Sequence, residues 1–264
     1  MSPAGPSTSR AVRITAAREL RDLWLRGRGL PLMVAYAVLL SITSYVTASN
    51  RELNFLEQRE ALNQTLQLAV AIGALLVLVA AADAISGERD RGTLEPLLVT
   101  PMPREALMAG KAIAALSLWG VAYLCAAPYV LYLARGTRVS GAALVGGLVV
   151  GTALAVFSTA AGLAISAVAA TSRASLSLSL FVLLALFAPT QLPTSARQAW
   201  FGTTLLHVDP YASGLRYLGH LVVNANGVTE DVGWLVGPLV AAGLLVVVAL
   251  AVGRRLTLDG GIRR

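Results

Sequence analysis

Few residues in this chain are of types that do chemistry, and most of those lack the partners chemistry needs. The Gly-Lys pair Gly110–Lys111 is followed by Ala112, and Glu105 stands where a phosphate-cradling loop needs its first glycine. That loop requires the whole G-x-x-x-x-G-K-[ST] spacing to converge its backbone N–H groups on phosphate. The chain is therefore expected to bind no nucleotide and to carry no ATPase of its own. His207, Asp209 and His220 share one polar stretch, but there is no H-E-x-x-H run. Polar residues on surface helices explain them more simply than a metal or substrate site. Serines are plentiful, yet nothing pairs one with a histidine and an acid for nucleophilic work. The single cysteine, Cys125, excludes an intrachain disulfide and a cysteine-based metal site. No catalytic, cofactor-binding or metal-ligating residue is assigned. Asp83 and Lys111 are the ionisable residues nearest to burial in apolar runs. Both stand at run ends, where they can snorkel or pair with each other or with Arg89.

The densest chemistry is the stretch ISGERDRGTLEPLLVTPMPREALMAGK, residues 85–111, which breaks an otherwise oily chain. Glu88, Arg89, Asp90 and Arg91 stand together, followed by Gly92-Thr93. Thr93 can cap a short helix over TLEPLLV, with Pro96 in its first turn, where a missing N–H costs little. Pro101 and Pro103 then stop that helix, and Glu105 falls near the start of the next run. The expected product is a short, rigid, amphipathic helix showing Leu94, Leu97 and Leu98. So short a loop offers that apolar side no obvious partner, and a soluble protein would supply one.

The elements around this insert are membrane spans. The 264 residues are 56% hydrophobic and only 13% charged, against about 25% charged in soluble domains. Several runs exceed the ~18 apolar residues of a membrane-crossing helix. Six spans are expected, at about 30–48, 66–86, 106–134, 142–170, 175–191 and 233–253. The fold class is thus an all-α membrane protein. Residues 1–9 read as a disordered N-terminus, with no cleavable signal peptide. Residues 10–28 read as an amphipathic helix, with Val12, Ala16, Leu20, Leu23 and Trp24 on one face. Such a helix can lie in the membrane interface, with Trp24 at headgroup depth and arginines on anionic lipid.

Orientation follows from the basic residues. Six spans put both termini on one side, and that side, with the 85–111 insert, holds 15 of the 21 Lys and Arg. Termini in the cytoplasm follow from that bias. The net charge of +7 is then read as membrane topology and not as a nucleic-acid footprint. The permease domain would run over 30–253, with a cytoplasmic loop at 87–105, an outer segment at 192–232 and a cytoplasmic tail at 254–264. Span 4 carries a stripe of small residues, Ala143, Gly147, Gly151, Ala155, Gly162 and Ser166, which lets helix backbones approach closely.

On these residues the sequence resembles the ABC type-2, exporter-class transporter permeases, including their multidrug-type and Nos-type members. GERDRGTLEPLLVTPMPREALMAGK is similar to the family's loop between spans 2 and 3. Asp83-Ala84-Ile85 and Gly87-Glu88 resemble the approach to that loop in the copper-related Nos permeases, without implying copper here. HVDPYASGLRYL, 207–218, resembles the segment before the last span, with Val-Asp-Pro in place of an Asn-Pro type. The resemblance implies a plasma (inner) membrane permease that pairs with an identical or related permease. It implies two copies of an ABC ATPase subunit, which bind ATP and Mg. It implies that Glu88, Arg91, Gly92, Thr93, Leu94, Leu97 and Leu98 form the ATPase-coupling element. Ser175, Ser179 and Phe181 of span 5 would face the transport path.

Two other readings stand beside this one. A stand-alone secondary transporter needs buried charge at mid-membrane or broken helices, and mid-span positions here are almost free of ionisable groups. A membrane anchor that recruits a cytosolic partner is poorly separated from a permease by sequence.

Overall fold

A computed structural model describes residues 8–49, 55–94, 103–193 and 199–254. Among them there are helices and no strands. Helix α1 is Thr8–Arg21, continued by a wider turn at Asp22–Arg26. Then come α2 (Gly29–Ser49), α3 (Phe55–Asp83), α4 (Ser86–Asp90), α5 (Arg104–Leu133), α6 (Ser140–Val168) and α7 (Ser172–Phe187). The pair α8 (Trp200–Val208) and α9 (Pro210–Val222) precedes α10 (Val236–Arg254). Six of these segments are long and apolar enough to cross a membrane, as expected.

Helix α6 is the axis of the bundle. Its apolar window is 72% buried, against 22% for the spans built on α7 and α10. Small residues make this possible, because a side chain at those positions would collide with a neighbour. A Cβ on Gly151 would stand 2.1 Å from the Trp119 ring, and one on Gly162 would stand 2.7 Å from Ala81 Cβ. Close approach of this kind replaces the hydrophobic drive that helices lack within lipid. The small-residue stripe therefore packs α3 and α5 of the same chain onto α6. Val34, Val38 and Ile42 on α2, Phe181 and Leu184 on α7, and Leu244 and Val247 on α10 point outward, giving the bundle an apolar perimeter suited to lipid.

Two boundaries differ from the sequence reading. Helix α3 begins at Phe55, well ahead of position 66. Its 29 residues span about 43 Å, more than the ~30 Å hydrocarbon core. Its first turns are therefore polar, and Gln58 Nε2 there donates to the carbonyls of Leu133 (3.2 Å) and Arg135 (2.9 Å), closing the end of α5. Helix α7 ends at Phe187, and Pro189 lies within a short turn, Ala188–Gln191. A further finding concerns the segment of His207 and His220, expected as polar residues on surface helices: His207 is exposed and His220 half-buried. Helix α9 is buried along most of its length. The Tyr211 hydroxyl lies 2.7 Å from Ser158 Oγ on α6, and Gln67 on α3 donates to the Leu215 carbonyl at 3.0 Å.

Candidate functional site

The candidate site forms where α1, α4 and α7 meet the ends of α3, α5 and α6. It starts with a break in the second span. Helix α3 stops at Asp83 and α4 starts at Ser86, which frees backbone groups that lipid cannot satisfy. Ser166 Oγ on α6 accepts the N–H groups of Ile85 (3.0 Å) and Ser86 (2.9 Å). The Ala82 carbonyl accepts from Ser86 Oγ (2.9 Å) and Ser175 Oγ (2.6 Å). Ser175 thus reaches across from α7 to hold the break.

Each charge in the Glu88–Arg91 run then has its own partner. Glu88 Oε1 lies 2.7 Å from Lys111 Nζ on α5, and Glu19 Oε1 on α1 lies 3.0 Å from the same ammonium. The Lys111 side chain is 1% exposed and the two carboxylates 14% and 17%, so the triad binds three elements in a nearly dry place. Arg89 donates to the carbonyls of Ala167 (3.1 Å) and Ala169, covering the C-terminal end of α6. Asp90 Oδ2 accepts the Ser172 N–H at 2.8 Å, at the start of α7. Cation and anion each sit at the helix end whose dipole favours them. Arg91 pairs with Asp83 at 3.4 Å, and Asp83 also accepts from Ser172 Oγ.

The sequence reading has Asp83 and Lys111 snorkelling, or pairing with each other or with Arg89. Lys111 takes Glu19 and Glu88 instead, because α1 packs along α5 and α4 turns back over the same spot. Glu19 was not singled out. Its only sequence signal is an acid among the arginines of an amphipathic helix.

Gly92 closes the segment in the left-handed region, at φ +68°, which favours glycine. The chain then turns so that Thr93 N and Oγ1 both donate to the Glu88 carbonyl, at 2.9 and 3.2 Å. Leu94 is buried. Leu97 and Leu98, and the helix expected over TLEPLLV beyond Leu94, lie outside the described residues.

On α1, the face against α5 holds Ala11, Thr15 and Ala16, all buried. Thr15 presses on Gly110, where a Cβ would stand 2.5 Å from Thr15 Cγ2. Leu20, Leu23 and Trp24 are half-buried, and Trp24 Nε1 donates to Ser117 Oγ at 2.9 Å. Of the three span-5 residues, Ser175 and Ser179 are buried within the chain, while Phe181 is 68% exposed.

The far end separates Asp209 from the two histidines it was grouped with. Asp209 Oδ1 accepts the Ala212 N–H at 2.7 Å and caps α9. Burial pushes its carboxyl pKa up, against the pull of the Ala212 and Tyr211 amides. His207 stacks on Trp234 at 3.8 Å, and His220 Nδ1 lies 3.2 Å from Asp231 Oδ2. Among the described residues no group of three or more His, Cys, Asp or Glu is placed to hold a metal.

Against known families, residues 15–199 match the ABC-2 family transporter protein. None of the curated proteins compared matches the chain. The matched stretch includes α1 from Thr15, the break after Asp83, the insert and the first five spans. This multi-pass membrane protein belongs to the ABC-2 transporter family, which forms the membrane subunits of ABC transporters.

Proposed function

We propose that this chain is the permease of an ATP-driven exporter whose ATP and Mg are bound by a separate ABC ATPase. Both termini and loop 87–105 lie in the cytoplasm, α1 lies in the membrane interface, and the membrane is the plasma (inner) membrane. Two ATPase subunits dock on two permeases, identical or related. Glu88, Arg91, Gly92, Thr93, Leu94, Leu97 and Leu98 form the docking element, and Leu97 and Leu98 supply its apolar anchors. Of the three span-5 residues, Phe181 alone is exposed and free to meet cargo, because Ser175 and Ser179 are buried within the chain.

One observation carries this reading: four adjacent charges tie α4 to α5, α6, α7 and the end of α3. A push on the loop is received at once by spans 2, 3, 4 and 5 and by α1. Buried ion pairs and capping bonds leave little slack, since breaking them strands charge. A secondary transporter would need ionisable groups or broken helices at mid-membrane, and the break after Asp83 lies near the end of span 2. The described spans keep their ionisable groups at the ends.

Co-expression with a candidate ABC ATPase subunit, followed by pull-down on this chain, tests the reading. The ATPase follows the wild-type chain and is lost with Leu97→Asp/Leu98→Asp, while membrane insertion is unchanged. Undiminished recovery with that double variant refutes the docking assignment.

A further inference from the structure

The triad forms one wall of a cleft of about 540 Å³. Leu23, Leu32, Val79 and Leu176 line its apolar side, contributed by the α1–α2 connection and by α2, α3 and α7. Its charged rim carries Arg26 and Arg28. The cleft also holds four carboxylates, which share three cations. Glu19 and Glu88 share Lys111, Asp83 has Arg91, and Asp22 has Arg18 at 3.8 Å. Arg26 and Arg28 are exposed, and their guanidinium groups have no hydrogen-bond or ion-pair partner among the described residues. The lining is neutral as a whole, with four acids and four cations, and its cations free to take a ligand are Arg26 and Arg28, which sit together at one place.

That place is set by the backbone. Gly27 and Gly29 allow the tight turn from α1 into α2, where a Cβ on either would come within 2.9 Å or less of a backbone carbonyl. The turn holds both arginines just ahead of the first apolar residues of the span, at the depth where lipid headgroups lie. The apolar wall continues from there along Leu32, Val79 and Leu176. The volume falls in the usual range for small-ligand sites, about 300–1,000 Å³.

We propose that this cleft binds an anionic amphiphile, with its phosphate headgroup on Arg26 and Arg28 and its chain against Leu32, Val79 and Leu176. The ligand class is that of an acidic phospholipid. The site rests on the proposed placing of α1 in the membrane interface and not on the ATPase assignment.

The test is native mass spectrometry of the delipidated full-length chain with phosphatidylglycerol and phosphatidylcholine in equal amounts. The wild-type chain retains phosphatidylglycerol in preference. Arg26→Ala/Arg28→Ala lowers that preference by about 30-fold, the effect of two arginines near a charged headgroup. Arg135→Ala/Arg138→Ala, outside the cleft lining, leaves it in place. Ala80→Phe, which fills the cleft, loses both lipids, with thermal melting as the check on folding. Equal loss from the two double-arginine variants, or no preference in the wild-type chain, overturns the proposal. Displacement of the lipid by inorganic phosphate at matching concentration overturns the amphiphile assignment, because a free anion would then suffice.

Discussion

Replacing Lys111 by Met tests the junction most directly. The methionine keeps most of the aliphatic stem and removes the ammonium that holds Glu19 at 3.0 Å and Glu88 at 2.7 Å. Two carboxylates, each less than one-fifth exposed, are left facing one another without a cation. Breaking a buried pair costs about 3–5 kcal/mol, mostly through the stranded charge. At about 2–4 °C per kcal/mol for a chain of this size, the loss in melting temperature is roughly 6–20 °C. The assay is thermal unfolding of purified protein in detergent, at fixed pH and lipid content. The decisive comparison is the triple variant Lys111→Met, Glu19→Gln, Glu88→Gln. It strands no charge and recovers most of the lost stability, because apolar or neutral replacements of buried ion pairs are commonly tolerated. A single variant that melts within a degree or two of the parent refutes the reasoning. So does a triple variant no better than the single one.

Further expectations follow from individual contacts. Gly151→Ala drives a methyl group into the Trp119 ring, which Gly73 already hems in on another side, and costs about 1–3 kcal/mol as overpacking. Gly120→Ala on the same helix as Trp119 meets nothing within 4 Å and is neutral or stabilising by up to ~1 kcal/mol from helix propensity. The same melting assay separates the two. Ser166→Ala leaves the Ile85 and Ser86 amides unsatisfied, so their hydrogen exchange quickens and stability falls by about 1–3 kcal/mol per stranded group. Asp209 has a raised folded pKa, so its contribution is present below its unfolded value and lost as pH rises through the folded one. Asp209→Asn keeps a good helix cap and is neutral or stabilising at neutral pH, an advantage that fades in acid melts. Asp231 behaves oppositely: its pKa is lowered by hydrogen bonds from Asn226 and His220. Its contribution, present above the unfolded value, is lost as pH falls through the folded one, and Asp231→Asn removes that acid dependence.

Much of the architecture could be read from local chemistry. Span count and helical class follow from run length and from the placing of charge at run ends, because a backbone in lipid must satisfy itself by helix formation. The small stripe at Gly147, Gly151 and Gly162 announced close packing, but its partners, Leu66, Trp119 and Ala81, come from other spans. The Glu88–Arg91 run was visible as a charged cluster between apolar runs. Its pairing was not, because Lys111 is 23 residues from Glu88 and 92 from Glu19. The burial of α9 was not legible, because the partners of Tyr211 and Leu215, Ser158 and Gln67, lie on other spans.

Sequence alone determined that this chain is a helical membrane protein with one dense polar insert, and that it resembles a transporter permease. Those properties are written in composition, run length and a contiguous motif. Tertiary structure alone decided what each charge does. Glu88, Arg89, Asp90 and Arg91 are neighbours in the chain, but they serve four different helices. Only the crossing of those helices brings an ammonium, a helix C-terminus, a helix N-terminus and a carboxylate within reach. The same crossing leaves Arg26 and Arg28 without an acid among the described residues, since Glu19 and Glu88 turn to Lys111 and Asp83 to Arg91. Which charges remain free depends on three-dimensional pairing over long sequence separations, and a linear pattern does not encode it.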